Sequence, residues 1–172
     1  MRKECVESMI RVNHAGEYAA VCIYHGQEMA LRGKAEAESI REMQQHELVH
    51  FRYFDNAIKE RRVRPTVFLP IWHVAAVSLG YITAMMGKEA AMACTEAVEE
   101  VICGHYYEQA GQLERSDSEH ELRDAIVRFR EEECEHMEIA AHNGAERALG
   151  YKAISCAVKT ACRLAIAISK VL

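Results

Sequence analysis

The sequence predicts an all-α protein, a four-helix bundle carrying two additional amphipathic or apolar helices, and three observations support this. Its 172 residues include only 2 prolines and 9 glycines, too few for a many-turned β architecture, and good helix formers are prominent. No segment alternates polar and apolar residues as a half-buried strand would. Most telling, an isolated Glu on one predicted helix is followed on the next by Glu-x-x-His, and this happens twice.

Gly33, the Arg64-Pro65 break, Gly87, Ser116-Asp117-Ser118 and Gly150 divide the chain into six helical stretches, near 4–32, 35–63, 68–86, 88–114, 118–149 and 151–171. In the first, Val6, Ile10, Val21, Tyr24 and Leu31 form one apolar stripe at 100° per residue. In the second the stripe is Ile40, Met43, Phe51, Phe54 and Ile58, and Pro65 ends the element because it lacks the backbone N–H a helix needs. The third is an apolar run from Thr66 to Met86. The fourth carries Met92, Cys103, Tyr106 and Leu113. The fifth opens on a capping box, Ser118 with Glu121, and carries Leu122, Ile126, Phe129, Met137 and Ala140. The sixth sets Ile154, Val158, Ala161, Leu164, Ala165, Ile168 and Leu172 against Lys152, Lys159, Arg163 and Lys170, a basic amphipathic pattern.

This length fits one domain over 1–172. A formal net charge of −5 provides no positive field to hold nucleic acid, so a DNA or RNA partner is not expected. The 7 cysteines form an odd set with no CxxC pair, which points to neither a disulfide framework nor a zinc knuckle and favours a reducing compartment. The opening Met1-Arg2-Lys3-Glu4-Cys5 reads as no targeting segment.

The repeat consists of Glu17 with Glu47-Leu48-Val49-His50, and Glu99 with Glu133-Cys134-Glu135-His136. Glu17, Glu47 and Glu133 each fall inside the apolar stripe of their helix, and His50 and His136 share that face three residues on. On the fourth helix Glu99 points inward, while Glu96 and Glu100 rotate away from the apolar centre. Four buried carboxylates without a cation would be costly or would take up protons. No Lys or Arg lies beside them on the stripes. Two divalent metals at +4 would balance four glutamates at −4, and oxygen ligands with one imidazole per metal suit iron or manganese better than zinc or copper(I). One Glu-x-x-His alone is common in Glu-rich helices; two copies, each with a partner Glu, are the pattern of a four-helix di-metal carboxylate site.

The segments Arg11-Val12-Asn13-His14-Ala15-Gly16-Glu17, Arg62-Val63-Arg64-Pro65-Thr66, Leu79-Gly80, Gly87-Lys88-Glu89-Ala90-Ala91-Met92-Ala93-Cys94-Thr95, His105-Tyr106 and Phe129-Arg130-Glu131-Glu132-Glu133-Cys134-Glu135-His136 closely resemble the demethoxyubiquinone hydroxylase family of ubiquinone biosynthesis. That resemblance implies a ferritin-like bundle holding two iron ions, with O2 as co-substrate and hydroxylation of a demethoxyubiquinone ring as the reaction. Carried over position by position, the iron ligands are Glu17, Glu47, His50, Glu99, Glu133 and His136, with Glu47 and Glu133 serving the two irons differently or bridging them. His105 and Tyr106 are expected near the centre as donors, proton shuttles or electron relays. The chain has no dinucleotide fingerprint and no Fe–S cysteine set, so an outside reductant is required; the resemblance implies electrons from NADH, directly with the quinone as a relay or through a reductase. Arg163 and Lys170 are the candidates to meet a nucleotide phosphate.

The implied substrate is a polyprenylated quinone dissolved in lipid. Residues 66–86 are about long enough to cross a bilayer, but one crossing there would put the two halves of the site on opposite sides. The segment is therefore expected to lie flat, packing on the bundle and presenting Phe68, Leu69, Trp72 and their neighbours to lipid as a monotopic surface. The resemblance implies the cytoplasmic face of a bacterial inner membrane or, alternatively, the matrix face of the mitochondrial inner membrane, with a homo-oligomer or a ubiquinone-biosynthesis complex as the expected assembly. Two alternatives remain at this stage: a ferritin-like iron-oxidising or peroxide-scavenging protein, for which the apolar run would be a liability, and a helical lipid-binding scaffold without catalysis.

Overall fold

A computed structural model describes residues 3–115 and 118–171. The elements are α1 (Lys3–Ala30), α2 (Glu36–Arg61), α3 (Leu69–Met85), α4 (Lys88–Leu113), α5 (His120–His142), a short 3-10 turn (Ala145–Arg147) and α6 (Tyr151–Val171), with no strand among the described residues. The all-α bundle with two further helices is therefore observed. Five of the six predicted spans hold within about two residues. The fifth does not: the continuous helix expected over 118–149 stops at His142, because Gly144 takes φ 92°, a left-handed conformation that breaks the run before Ala145–Arg147. Its start is also later than expected, with Glu119 rather than Ser118 at the N-cap. Ser116, Asp117 and Leu172 lie outside the described residues.

α1 and α2 form one antiparallel hairpin, α4 and α5 the other, and the two enclose the core. Two apolar clusters fill it. One gathers Ile10, Phe54, Leu113, Leu122, Ile126 and Phe129, and the other Leu31, Ile40, Met43, Met92 and Ala140, each nearly or fully inaccessible. Every bundle helix runs from one cluster to the other, and each carries its predicted carboxylate between them. Water is thus excluded at both ends of the polar layer.

α3 and α6 lie outside the four-helix core. A third cluster, including Ile23, Ala76, Ala97, Val98 and Val158, seats them on α1 and α4. The α1–α3 crossing depends on two glycines. A Cβ on Gly80 would run into the Ile23 carbonyl oxygen, and one on Gly26 into that of Val77. Ser8 Oγ and Arg11 Nη1 both donate to the Lys170 carbonyl at 3.2 Å, tying the end of α6 to α1.

α3 is 17 residues long, short of the roughly 20 that a spanning helix needs, and among the described residues no helix is long and apolar enough to cross a membrane. Its exposed apolar face is Ile71, Val74, Ile82 and Met85, continued by Val67 and Met86. This corrects the expected outward set: Phe68, Leu69 and Trp72 are half-buried, because Trp72 shares the inward face with Ala76, Leu79 and Thr83 at helical spacing.

Candidate metal centre

Glu17 on α1, Glu47 and His50 on α2, Glu99 on α4, and Glu133 and His136 on α5 converge at mid-bundle, none more than 3% exposed. Two groups of ligand atoms each fit within 4.8 Å, one from Glu17, Glu47, His50 and Glu133, the other from Glu47, Glu99, Glu133 and His136. They share Glu47 and Glu133, the two carboxylates expected to bridge. Glu99, not Glu96, is the inward residue of α4; Glu96 belongs to neither group.

Both imidazoles turn Nδ1 toward the carboxylates. His50 Nδ1 lies 3.0 Å from Glu133 Oε1 and 3.5 Å from Glu17 Oε2. His136 Nδ1 lies 3.1 Å from Glu47 Oε1 and 3.4 Å from Glu133 Oε2, close approaches without the alignment of a hydrogen bond. Their Nε2 atoms face outward, 2.7 Å from Glu132 Oε2 for His50 and 3.1 Å from His46 Nδ1 for His136.

Burial pushes the carboxyls of Glu17, Glu47 and Glu99 above their ordinary range, and for Glu47 and Glu99 the neighbouring Glu133 charge adds to it. Burial acts the same way on Glu133, but the imidazoles of His136 and His50 outweigh it and hold it at about 2. Burial would lower His50, yet the hydrogen bond to Glu133 and the nearby Glu17 carboxylate raise it to about 11. Without a cation, the His50 imidazolium pairs with the Glu133 carboxylate. Even so, Glu17 Oε2, both Glu47 oxygens, Glu99 Oε2, Glu133 Oε2 and His136 Nδ1 are buried without a hydrogen-bond partner. Buried polar atoms are ordinarily paired, and these face one another in two overlapping sets. Such a donor set, four carboxylates and two imidazoles, fits two divalent cations that prefer oxygen and nitrogen ligands.

Two phenols complete the layer. Tyr24 donates to Glu99 Oε1 at 2.6 Å, and Tyr106 donates to Glu17 Oε1. Burial and the adjacent carboxylate raise both phenols well above their ordinary range, so both keep their protons. Sequence reasoning named Tyr106 but missed Tyr24, although the 82 residues from Glu17 to Glu99 also separate Tyr24 from Tyr106. Glu132 and His46 were likewise missed; they stand 86 apart, as Glu133 and Glu47 do.

His105 does not share the face of Tyr106. It is half-buried, its Nε2 2.8 Å from Gln109 Nε2, and Gln109 in turn exchanges hydrogen bonds with Asn13. Burial pushes it down to about 4, so it stays neutral near pH 7. Arg163 and Lys170 are exposed on α6 and line neither of the two cavities described below. The cysteines form no disulfide framework, as the odd count predicts, but one pair departs from the reading of a reducing compartment: Cys103 of α4 and Cys134 of α5 are joined, their Cα atoms 5.9 Å apart, while Cys5, Cys22, Cys94, Cys156 and Cys162 are free. Cysteine counting cannot reveal which helix faces meet, and these two residues lie beside Glu99 and Glu133 on the α4–α5 contact.

A cavity of about 320 Å³ adjoins the layer. It is lined by Gly16 and Ala20 of α1, Trp72 and Leu79 of α3, Val98 and Ile102 of α4, and Ala161 and Ile166 of α6, so its walls include the neighbours of Glu17 and Glu99. Its lining is almost wholly apolar; one polar atom of note belongs to Trp72, whose indole Nε1 is buried with no hydrogen-bond partner. A second, more open cavity lies between α1, α2 and the start of α3, bordered by His14, Tyr18, Asp55 and His73.

Comparison with known proteins agrees with this geometry. The chain is 46% identical over 170 residues to the NADPH-dependent 3-demethoxyubiquinone 3-hydroxylase, mitochondrial, of Dictyostelium discoideum, covering 98% of this chain and 78% of the relative. It is 44% identical to the 3-demethoxyubiquinol 3-hydroxylase of Rhodospirillum rubrum, covering 96% and 77%, and 42% identical to the human mitochondrial enzyme named as in Dictyostelium, covering 98% and 78%. A six-helix bundle with paired Glu and Glu-x-x-His motifs at its centre, matched over residues 4–169, means that this chain belongs to the family of ubiquinone biosynthesis protein COQ7.

Proposed function

We propose that this chain hydroxylates the ring of a demethoxyubiquinone, with Glu17, Glu47, His50, Glu99, Glu133 and His136 holding two iron ions and O2 as co-substrate. The observation that carries the proposal is the pair of buried ligand groups sharing Glu47 and Glu133 beside an apolar cavity. Bound iron would supply the two-electron reduction of O2 on which ring hydroxylation depends. The chain's own residues supply the rest. Four carboxylates neutralise the cations, the two apolar clusters keep water out, and Tyr24 and Tyr106 hold Glu99 and Glu17 at fixed positions through phenols that stay protonated. The cavity between α3 and α6 receives the quinone ring and the first part of its isoprenoid tail, with Trp72 Nε1 available to donate to a ring oxygen.

The reduced cofactor is a nicotinamide, used directly or through a reductase. The sequence resemblance suggested NADH, whereas the names of the Dictyostelium and human relatives give NADPH, so both belong in the assay. The exposed apolar face of α3 and the basic amphipathic α6 suit a protein seated on a quinone-bearing membrane: the cytoplasmic face of a bacterial inner membrane or the matrix face of the mitochondrial one.

The test is turnover of a short-tailed demethoxyubiquinone by the iron-loaded chain with O2 and NADH or NADPH, followed by mass spectrometry. A product heavier by one oxygen atom, labelled when 18O2 is used, supports the reading. Iron oxidation with no quinone product from any donor would favour the peroxide-scavenging alternative.

A further inference from the structure

The internal repeat relates the two ligand groups residue by residue: Glu17 to Glu99, Glu47 to Glu133, His50 to His136, and the phenols Tyr24 to Tyr106. Behind the imidazoles the repeat breaks. His50 Nε2 meets a carboxylate, Glu132, at 2.7 Å, and His136 Nε2 meets an imidazole, His46, at 3.1 Å, although Glu132 and His46 occupy equivalent positions. We propose that Glu132 and His46 are positioning residues that make the two metal positions unequal, so that the position served by His50 binds a divalent cation more tightly than the one served by His136.

The inequality follows from which atom carries the proton. For either Nδ1 to offer a lone pair to a cation, the same ring must carry its proton on Nε2 and donate it outward. Glu132 can only accept, and a charged acceptor at 2.7 Å makes a short, strong bond that draws the proton toward itself and makes Nδ1 more electron-rich. His46 is neutral when it accepts at Nδ1, and its bond is longer. Outer partners of this kind shift metal affinity by about 10–100-fold. The two rings are also nearly parallel, their planes 16° apart and their centroids 5.3 Å apart, so His46 fixes the orientation of His136 without matching the electronic support that Glu132 gives His50.

This inference rests on the di-metal reading above, and its test separates the two. The metal-free full-length chain is titrated anaerobically with Co(II), read by visible absorption and calorimetry. Repulsion between cations separates the two binding steps in any case, so the variants carry the test. Glu132→Gln is expected to weaken the first step by about 10–100-fold, with the second step unmoved. His46→Glu is expected to strengthen the second step with the first unmoved, and Gln45→Glu, which adds the same charge one residue away, to change neither. The first-equivalent spectrum should match that of His136→Ala, which retains the His50 position. Two steps unmoved by Glu132→Gln and His46→Glu, or a first-equivalent spectrum matching His50→Ala instead, would overturn the proposal while leaving the di-metal reading intact. Failure to bind Co(II) or Fe(II) at all would overturn both.

Discussion

Tyr24 reaches from α1 to donate to Glu99 of α4 at 2.6 Å, and Tyr106 returns the contact from α4 to Glu17 of α1. Each hairpin thus supplies the phenol that restrains the other hairpin's carboxylate. Tyr24→Phe leaves a fully buried oxygen without its donor and should destabilise the metal-free protein by about 1–3 kcal/mol. In thermal melts this is a drop of several degrees for a chain of this size. Tyr106→Phe should do the same at Glu17, and a double variant that melted like wild type would show that the phenols do not hold the layer.

The register of α4 gives a second test. Glu99→Ala or Glu133→Ala should abolish loading of two irons and hydroxylation together, while Glu96→Ala should leave both nearly intact, since Glu96 stands outside both ligand groups. Iron counted per chain after desalting decides it. Loss of iron in Glu96→Ala with retention in Glu99→Ala would mean that α4 is rotated from the position described.

Protons should leave when metal enters. In the metal-free chain burial pushes the carboxyls of Glu17, Glu47 and Glu99 toward their protonated forms, and His50, raised to about 11, is an imidazolium near pH 7 whose proton a cation must displace. The sign is fixed: loading releases protons, and apparent metal affinity falls as pH falls. Calorimetry of Fe(II) or Co(II) binding at pH 7 in two buffers of different ionisation enthalpy measures the release; a heat independent of buffer would contradict it.

The two glycines at the α1–α3 crossing make a prediction about packing. Gly80→Ala forces a Cβ against the Ile23 backbone, so α3 must shift and stability should fall by more than 1 kcal/mol. Gly104→Ala on α4 meets nothing within 4 Å and should stabilise the helix by up to about 1 kcal/mol. Comparing the melting temperatures of the two variants checks both signs at once.

Much of this was legible from residue order alone. Helical periodicity put Glu17, Glu47, Glu99 and Glu133 on apolar stripes, and burying all four in one layer follows from stacking those stripes. Elsewhere periodicity misled or was silent. It could not locate the break at Gly144, because the apolar spacing continues through Ala140 and Ala145 while the backbone turns left-handed. It assigned Trp72 to the outer face of α3, because an almost uniformly apolar helix has no polar side to orient it. The Cys103–Cys134 contact and the partners Glu132 and His46 depend on which faces of α4 and α5, or α2 and α5, come together. The repeat did contain Tyr24, at the same spacing that links Glu17 to Glu99.

The proposed function requires two irons between Glu17, Glu47, His50, Glu99, Glu133 and His136. The most direct measurement is Mössbauer spectroscopy of the anaerobically 57Fe(II)-loaded protein, with iron counted per chain before and after O2. Two ferrous ions per chain that convert on oxidation to a coupled diferric, diamagnetic ground state are predicted. One iron per chain, or two uncoupled ferric ions, would contradict the account.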